Sequence, residues 1–63
     1  MNEIYFYDIQ FSSEVPILIV NADYGIRPCL GDYISDQGCK YKVTEICIDY
    51  HNSNFDVFLE KMS

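Results

Sequence analysis

The sequence predicts an all-β domain, a small barrel of five short strands around one core. Of the 63 residues, 49% are apolar and 16% aromatic, a composition typical of chains that fold. Short runs of β-branched and aromatic residues are separated by Gly, Pro, Asn and Asp, which favour turns. The spacing of apolar residues shows no helical period. A chain of this length is expected to form a single domain, residues 1–63.

The runs of β-forming residues define five strands in chain order. Their predicted ranges are 3–11, 15–20, 33–36, 39–50 and 55–62. Pro16 falls near the start of the second strand, where a missing N–H does least harm. Residues 21–32 contain Asn, Asp, Gly and Pro and are predicted to form a loop. Gly38 provides the positive φ that a tight hairpin turn requires after the third strand.

The longest strand changes its alternation near Thr44 and Glu45. Before this point the apolar positions are Cys39, Tyr41 and Val43; after it they are Ile46, Ile48 and Tyr50. One extra residue in the strand, a β-bulge, would invert the facing of every residue beyond it and add the bend that a small barrel needs. The sequence therefore predicts a bulge at this position.

Alternation within the strands also predicts the core. The last strand separates apolar residues at 55, 57 and 59 from a second face at 56, 58 and 60. The predicted buried residues are Ile4, Phe6, Ile17, Ile19, Val43, Ile46, Ile48, Val57 and Leu59.

Five short strands with one kink are the pattern of a small SH3-like or OB-like barrel. The stretch 28–34, "PCLGDYI", followed by "GCKYKV" (38–43) and "ICID" (46–49), resembles a pattern of proline, Gly-Asp, turn glycine and apolar strand. That pattern recurs in SH3-like small barrels and in short uncharacterised phage and mobile-element proteins. The resemblance covers residues 28–60 and implies a fold, without an activity.

Charge excludes some classes of partner. Ten acidic residues against four basic ones give a net charge of −6, and Arg27 is the only base in residues 1–38. Binding to nucleic acid or to an anionic membrane requires Lys and Arg, so both are disfavoured. A protein with a basic surface is the expected partner. The N-terminus lacks the pattern of a signal peptide, which favours the cytoplasm, or the host cytoplasm for a viral protein.

Residues typical of catalysis and metal binding are sparse. Cys29, Cys39 and Cys47 have no metal-ligand spacing, and His51 is the only histidine, so we expect no metal and no cofactor. The carboxylates are too scattered to form an acid/base pair, and an enzyme is not expected. Asp32 after Gly31 is interpreted as an acceptor for backbone N–H groups in a turn, and His51 as part of a turn.

The candidate binding residues are tyrosines and acids of the front half of the chain, together with Arg27. They are Tyr5, Tyr7, Glu14, Asp23, Tyr24, Arg27, Asp32, Tyr33 and Asp36. The first hypothesis is a non-enzymatic inhibitor, of phage type and directed at a host defence protein, that binds stoichiometrically or imitates nucleic acid. The second is a homo-oligomer that captures a small nucleotide-like ligand in a pocket at its subunit interface. The loop with Tyr24, Arg27 and Tyr33 is the candidate for stacking on a planar ring and holding one phosphate. The third is a structural barrel subunit. Self-association, most simply as a dimer, is expected because so short a chain buries little surface.

Overall fold

A computed structural model describes residues 3–21 and 27–62, and its architecture is all-β. Five strands form one sheet, and no helix occurs in either described range. The strands are β1 (Glu3–Asp8), β2 (Leu18–Asn21), β3 (Tyr33–Asp36), β4 (Cys39–Asp49) and β5 (Asn54–Lys61). The sheet curls into a half-barrel, which confirms the predicted small SH3- or OB-like barrel.

The strand order across the sheet is β2-β1-β5-β4-β3. The first and last strands of the chain lie side by side and run parallel, whereas every other neighbouring pair is antiparallel. This pairing joins residues more than fifty positions apart, such as Ile4 and Phe55. The centre of the sheet is therefore built from the two ends of the chain, and β2 and β3 form its edges. The predicted dimer would cover such edges and stays a prediction.

The predicted bulge lies in β4. Val43 pairs with Leu59 and Glu45 pairs with Phe58, so Thr44 is the extra residue. Its hydroxyl donates a hydrogen bond of 3.1 Å to the carbonyl oxygen of Phe58. Beyond this point Ile46, opposite Val57, faces the core, whereas Glu45 does not. The change of alternation in the sequence is confirmed.

The core lies on the concave, inner face of the sheet. Its buried apolar residues are Ile4, Phe6, Tyr41, Val43, Val57 and Leu59. Ile17 and Ile46, two of the predicted buried residues, pack against this core but are only partly buried. Ile19 and Ile48 were predicted to be buried but are 53% and 47% exposed.

Both errors have a structural cause. Ile19 lies opposite Tyr5 in the β1–β2 ladder, so Leu18 and Val20 take the inward positions of β2. Ile48 keeps its place in the alternation but lies one residue from the end of β4, at the open rim of the half-barrel. Alternation assigns Ile48 correctly to the inner face. Its exposure follows from its position near the end of the strand, where the described residues cover it only in part.

Two strands are shorter than predicted because side chains and backbone form turns. β1 ends at Asp8, whose carboxylate accepts a hydrogen bond of 3.0 Å from the Gln10 N–H and whose carbonyl oxygen accepts from Phe11 and Ser12. The Ser12 hydroxyl oxygen accepts from two further backbone N–H groups, and β2 begins only at Leu18. These contacts satisfy backbone groups that would otherwise need a strand partner.

Candidate functional site

The convex, outer face of the sheet carries an aromatic pair at its centre. The parallel β1–β5 ladder places Tyr5 opposite Asp56 and Tyr7 opposite Phe58. The Tyr7 and Phe58 rings stack with their centroids 5.3 Å apart and their planes at 22°. These side chains alternate with the core residues and so point away from the core. The outer face therefore presents two stacked aromatic rings beside a carboxylate.

Acidic side chains surround this pair. The Tyr5 hydroxyl donates a hydrogen bond of 3.3 Å to Glu3 Oε1. Asp49, at the end of β4, is close enough for its charge to act on Asp56. The bulge at Thr44 gives Asp49 this facing. We call the set Glu3, Tyr5, Tyr7, Asp49, Asp56 and Phe58 the outer acidic face.

The pKa values of this face report its burial and its negative potential. Burial raises the pKa of Asp56 above its usual 3.8, and the Asp49 charge raises it further, although a hydrogen bond from Tyr7 acts in the opposite direction. Burial also raises the pKa of Tyr7, with Asp56 as the next cause, and that of Tyr5, with Glu3 as the next cause. Each shift disfavours further negative charge here. A cation brought close to this face would therefore be attracted and would stabilise its ionised carboxylates.

Two positive side chains of β4 lie beside this face, toward the edge strand β3. Lys42 pairs with Glu60, and Lys40 places its ammonium 4.6 Å from the centre of the Tyr33 ring. Both lysines precede the bulge, near the edge strand β3. The two lysines therefore lie on the β3 side of the convex surface, with Glu60 between Lys42 and the rest of β5.

The turn after β4 holds the Asp49 carboxylate in one position by hydrogen bonds. Its carboxylate accepts hydrogen bonds from the backbone N–H groups of His51 and Asn52 and, at 2.9 Å, from the Asn52 side-chain amide. The Asn52 hydrogen bonds lower the pKa of Asp49 and keep it ionised. His51 thus belongs to a turn through its backbone, as the sequence predicted. A fixed, ionised carboxylate stands at this edge of the outer acidic face.

The sequence-predicted site residues fall into separate places. Tyr5 and Tyr7 belong to the outer acidic face. Glu14 lies in the exposed Ser12 turn, and Asp36 closes the β3–β4 hairpin opposite Cys39. Asp23 and Tyr24 lie outside the described residues.

Arg27, Asp32 and Tyr33 all border a cleft on the inner side, although the Tyr33 ring itself lies against Lys40 on the convex side. This cleft, of about 440 Å³, opens between the edge strands β2 and β3. The Asp32 carboxylate accepts a hydrogen bond of 2.9 Å from the Cys29 N–H, which confirms its interpretation as a turn acceptor. Gly31, with φ of 86°, provides the conformation that this turn requires. The Arg27 guanidinium lies 5.2 Å from the centre of the Phe55 ring.

Sequence reasoning missed four members of the outer acidic face: Glu3, Asp49, Asp56 and Phe58. The alternation of β5 had placed Asp56 and Phe58 on one face, which was the available signal. Only the parallel pairing of β1 with β5 shows that this face is continuous with Tyr5 and Tyr7.

Groups that would carry catalysis are dispersed in the part of the chain that the structure describes. Cys29 and Cys47 are exposed, Cys39 is half-buried, and all three are free thiols. Across residues 3–21 and 27–62, no three His, Cys, Asp or Glu side chains are grouped to hold a metal ion. The same ranges contain no helix that is long and apolar enough to cross a membrane.

Comparisons of the chain with models of protein families, with curated proteins and with solved structures found no match.

Proposed function

We propose that the protein works by stoichiometric binding, without turnover, of a protein partner that presents a basic surface to the outer acidic face. The observation that carries the proposal is the position of Asp56. Its carboxylate lies beside stacked rings and near a second carboxylate, where burial and the Asp49 charge both raise its pKa. Groups with perturbed pKa values occur often at functional sites. A Lys or Arg of the partner would favour the ionised form of Asp56 and offset its repulsion from Asp49.

The aromatic residues supply the contact area that charge alone lacks. Tyr7 and Phe58 are half-buried and already held against one another, so they lose little conformational freedom on binding. Aromatic side chains at the centre of an interface commonly provide much of its free energy. Tyr7 and Phe58 would therefore set the dissociation rate, and the surrounding carboxylates would set the association rate.

The class of partner follows from charge complementarity. With a net charge of −6, the protein attracts basic surfaces over several ångströms of solution, and like-charged surfaces are repelled. Surfaces that bind nucleic acid present the Lys and Arg side chains that this face would pair with. Occupation of such a surface would inhibit the partner by excluding its nucleic acid.

A fluorescent oligolysine peptide, titrated at several salt concentrations and followed by anisotropy, tests the proposal. The double variant Glu3→Gln/Asp56→Asn should bind the peptide severalfold more weakly than the unmodified protein, because each lost pair is worth about 0.2–1 kcal/mol. Its affinity should also depend less on salt.

The matched control is Glu14→Gln/Asp36→Asn, which removes the same number of charges away from the outer acidic face. Equal weakening in both double variants would show that the peptide responds to net charge alone and would overturn the proposal. A Tyr7→Ala variant should speed dissociation of the peptide and leave association nearly unchanged.

A further inference from the structure

The inner side of the half-barrel holds a second site of different chemistry. The cleft of about 440 Å³ lies between β2 and β3, within the range of volumes of small-molecule pockets. Tyr33 borders this cleft with its ring turned against Lys40, and the other apolar lining residues are Ile4, Phe6, Leu18, Val20, Pro28 and Ile34. Most of these are aliphatic side chains from three strands, so the cleft offers a surface for an aliphatic chain rather than for a flat ring.

Arg27 provides the charge at this cleft. Together with Pro28 and Ile4 it also lines a neighbouring cleft of about 170 Å³, so it lies where the two meet. Its contact within the described residues is with the face of the Phe55 ring. A ring face attracts the cation without accepting all five of its N–H groups, which leaves donors for an anion.

One carboxylate lines the same cleft as Arg27. Asp32 also lines the larger cleft, but it accepts the Cys29 N–H and has the role of a turn residue. Arg27 is exposed at the mouth, whereas Ile4 and Phe6 are buried at the base. The cleft is therefore apolar inside, with the Arg27 guanidinium at its opening.

We propose that this cleft binds a small amphipathic anion, an aliphatic monocarboxylate whose chain lies along Leu18, Val20 and Ile34 and whose carboxylate pairs with Arg27. A planar guanidinium matches one carboxylate in a two-bond arrangement. A polyphosphate would bring several negative charges to one arginine in a protein of net charge −6, which opposes its binding. The site is independent of the outer acidic face, because it lies on the other side of the sheet.

Decanoate below its micelle concentration is the probe, titrated into protein with labelled methyl groups and followed by NMR. We expect saturable shifts of the Leu18, Val20 and Ile34 methyls. Decanol, the uncharged analogue, should bind about tenfold more weakly, the effect expected for loss of one charge-assisted pair. Arg27→Gln should weaken the binding of decanoate by a similar factor and leave the binding of decanol unchanged. Arg27→Lys should retain part of the affinity for decanoate that Arg27→Gln loses.

Other results would overturn the proposal. Shifts that do not saturate, or that fall outside β2 and β3, would show that decanoate does not bind in this cleft. Equal affinity for decanoate and decanol in the unmodified protein would remove the role of the anion, and this result does not depend on whether an Arg27 variant folds. Tighter binding of adenosine monophosphate than of decanoate would assign the cleft to a nucleotide instead.

Discussion

The Thr44 hydroxyl donates a hydrogen bond of 3.1 Å to the carbonyl oxygen of Phe58, at the position where β4 carries one residue more than β5. Because side chains alternate along a strand, this one residue decides the facing of all that follow. Without it Asp49 would point toward the core side and the outer acidic face would lose a charge. The bulge thus links the core to the proposed binding surface.

Thiol labelling tests the bulge. With Cys29 and Cys39 replaced by Ser, Cys47 is the one remaining thiol, and the structure places it exposed on the outer face opposite Asp56. It should react with a thiol reagent in the folded protein at a rate close to that in denaturant. Much slower labelling in the folded state would mean that the strand continues without a bulge and turns Cys47 inward.

The facing of β2 and β5 is tested by two matched substitutions. Val57 has no exposed surface, so Val57→Thr places a hydroxyl among apolar side chains and should lower the free energy of unfolding by about 1–3 kcal/mol. Ile19 is 53% exposed on the outer face, and Ile19→Thr should change the free energy of unfolding by no more than about 0.5 kcal/mol. Urea unfolding measures both. A larger effect at Ile19 than at Val57 would contradict the assigned register.

The β3–β4 hairpin depends on two residues with positive φ. Gln37 has φ of 51° and Gly38 has φ of 79°, the combination of a type I′ turn. No heavy atom would lie within 4 Å of a Cβ added at Gly38, so the cost of Gly38→Ala is backbone strain alone, about 1–2 kcal/mol. Gln37→Asn, which suits this conformation better, should raise the midpoint of urea unfolding. A stabilising effect of Gly38→Ala would exclude the turn.

The opposite pKa shifts of Asp56 and Asp49 predict opposite dependences of stability on pH. Because the pKa of Asp56 is higher in the folded protein than in the unfolded chain, folding is favoured while Asp56 is protonated. This contribution to stability is present below pH 3.8 and is lost as pH rises through the pKa of the folded protein. Asp56→Asn should therefore be more stable than the unmodified protein at neutral pH, with a smaller difference in acid.

For Asp49, whose pKa is lowered, the contribution is present above pH 3.8 and is lost as pH falls through the folded value. Asp49→Ala should be less stable at neutral pH, and this difference should shrink in acid. Unfolding midpoints across the acid range check both signs. The same direction for both variants would contradict the described surroundings of these carboxylates.

Local patterns in the sequence were sufficient for much of the fold. The break in alternation at Thr44 and Glu45, the turn glycine at 38 and the two faces of β5 all depend on neighbouring residues, and each is confirmed. The register of β2 was not predictable, because "ILIV" is apolar at every position and alternation has nothing to distinguish. Ile19 was misplaced for this reason.

The candidate site was harder to predict because it depends on contacts between the chain ends. Composition predicts Tyr5 and Tyr7 as site residues, but it predicts their acidic neighbours in the front half of the sequence. The parallel β1–β5 ladder instead brings Asp56 and Phe58 beside them. No local signal specifies which strands pair in parallel across so long a separation, so these partners required the structure.

The central claim is that a basic partner binds the outer acidic face. Backbone amide shifts in NMR spectra, recorded as an oligolysine peptide is added at low salt, test it most directly. We predict that the largest shifts fall in β1, β5 and the part of β4 after Thr44, around Tyr7, Asp49 and Asp56, and that they diminish in Asp56→Asn. Shifts concentrated around Glu14, Asp32 and Asp36, with β1 and β5 unchanged, would contradict it.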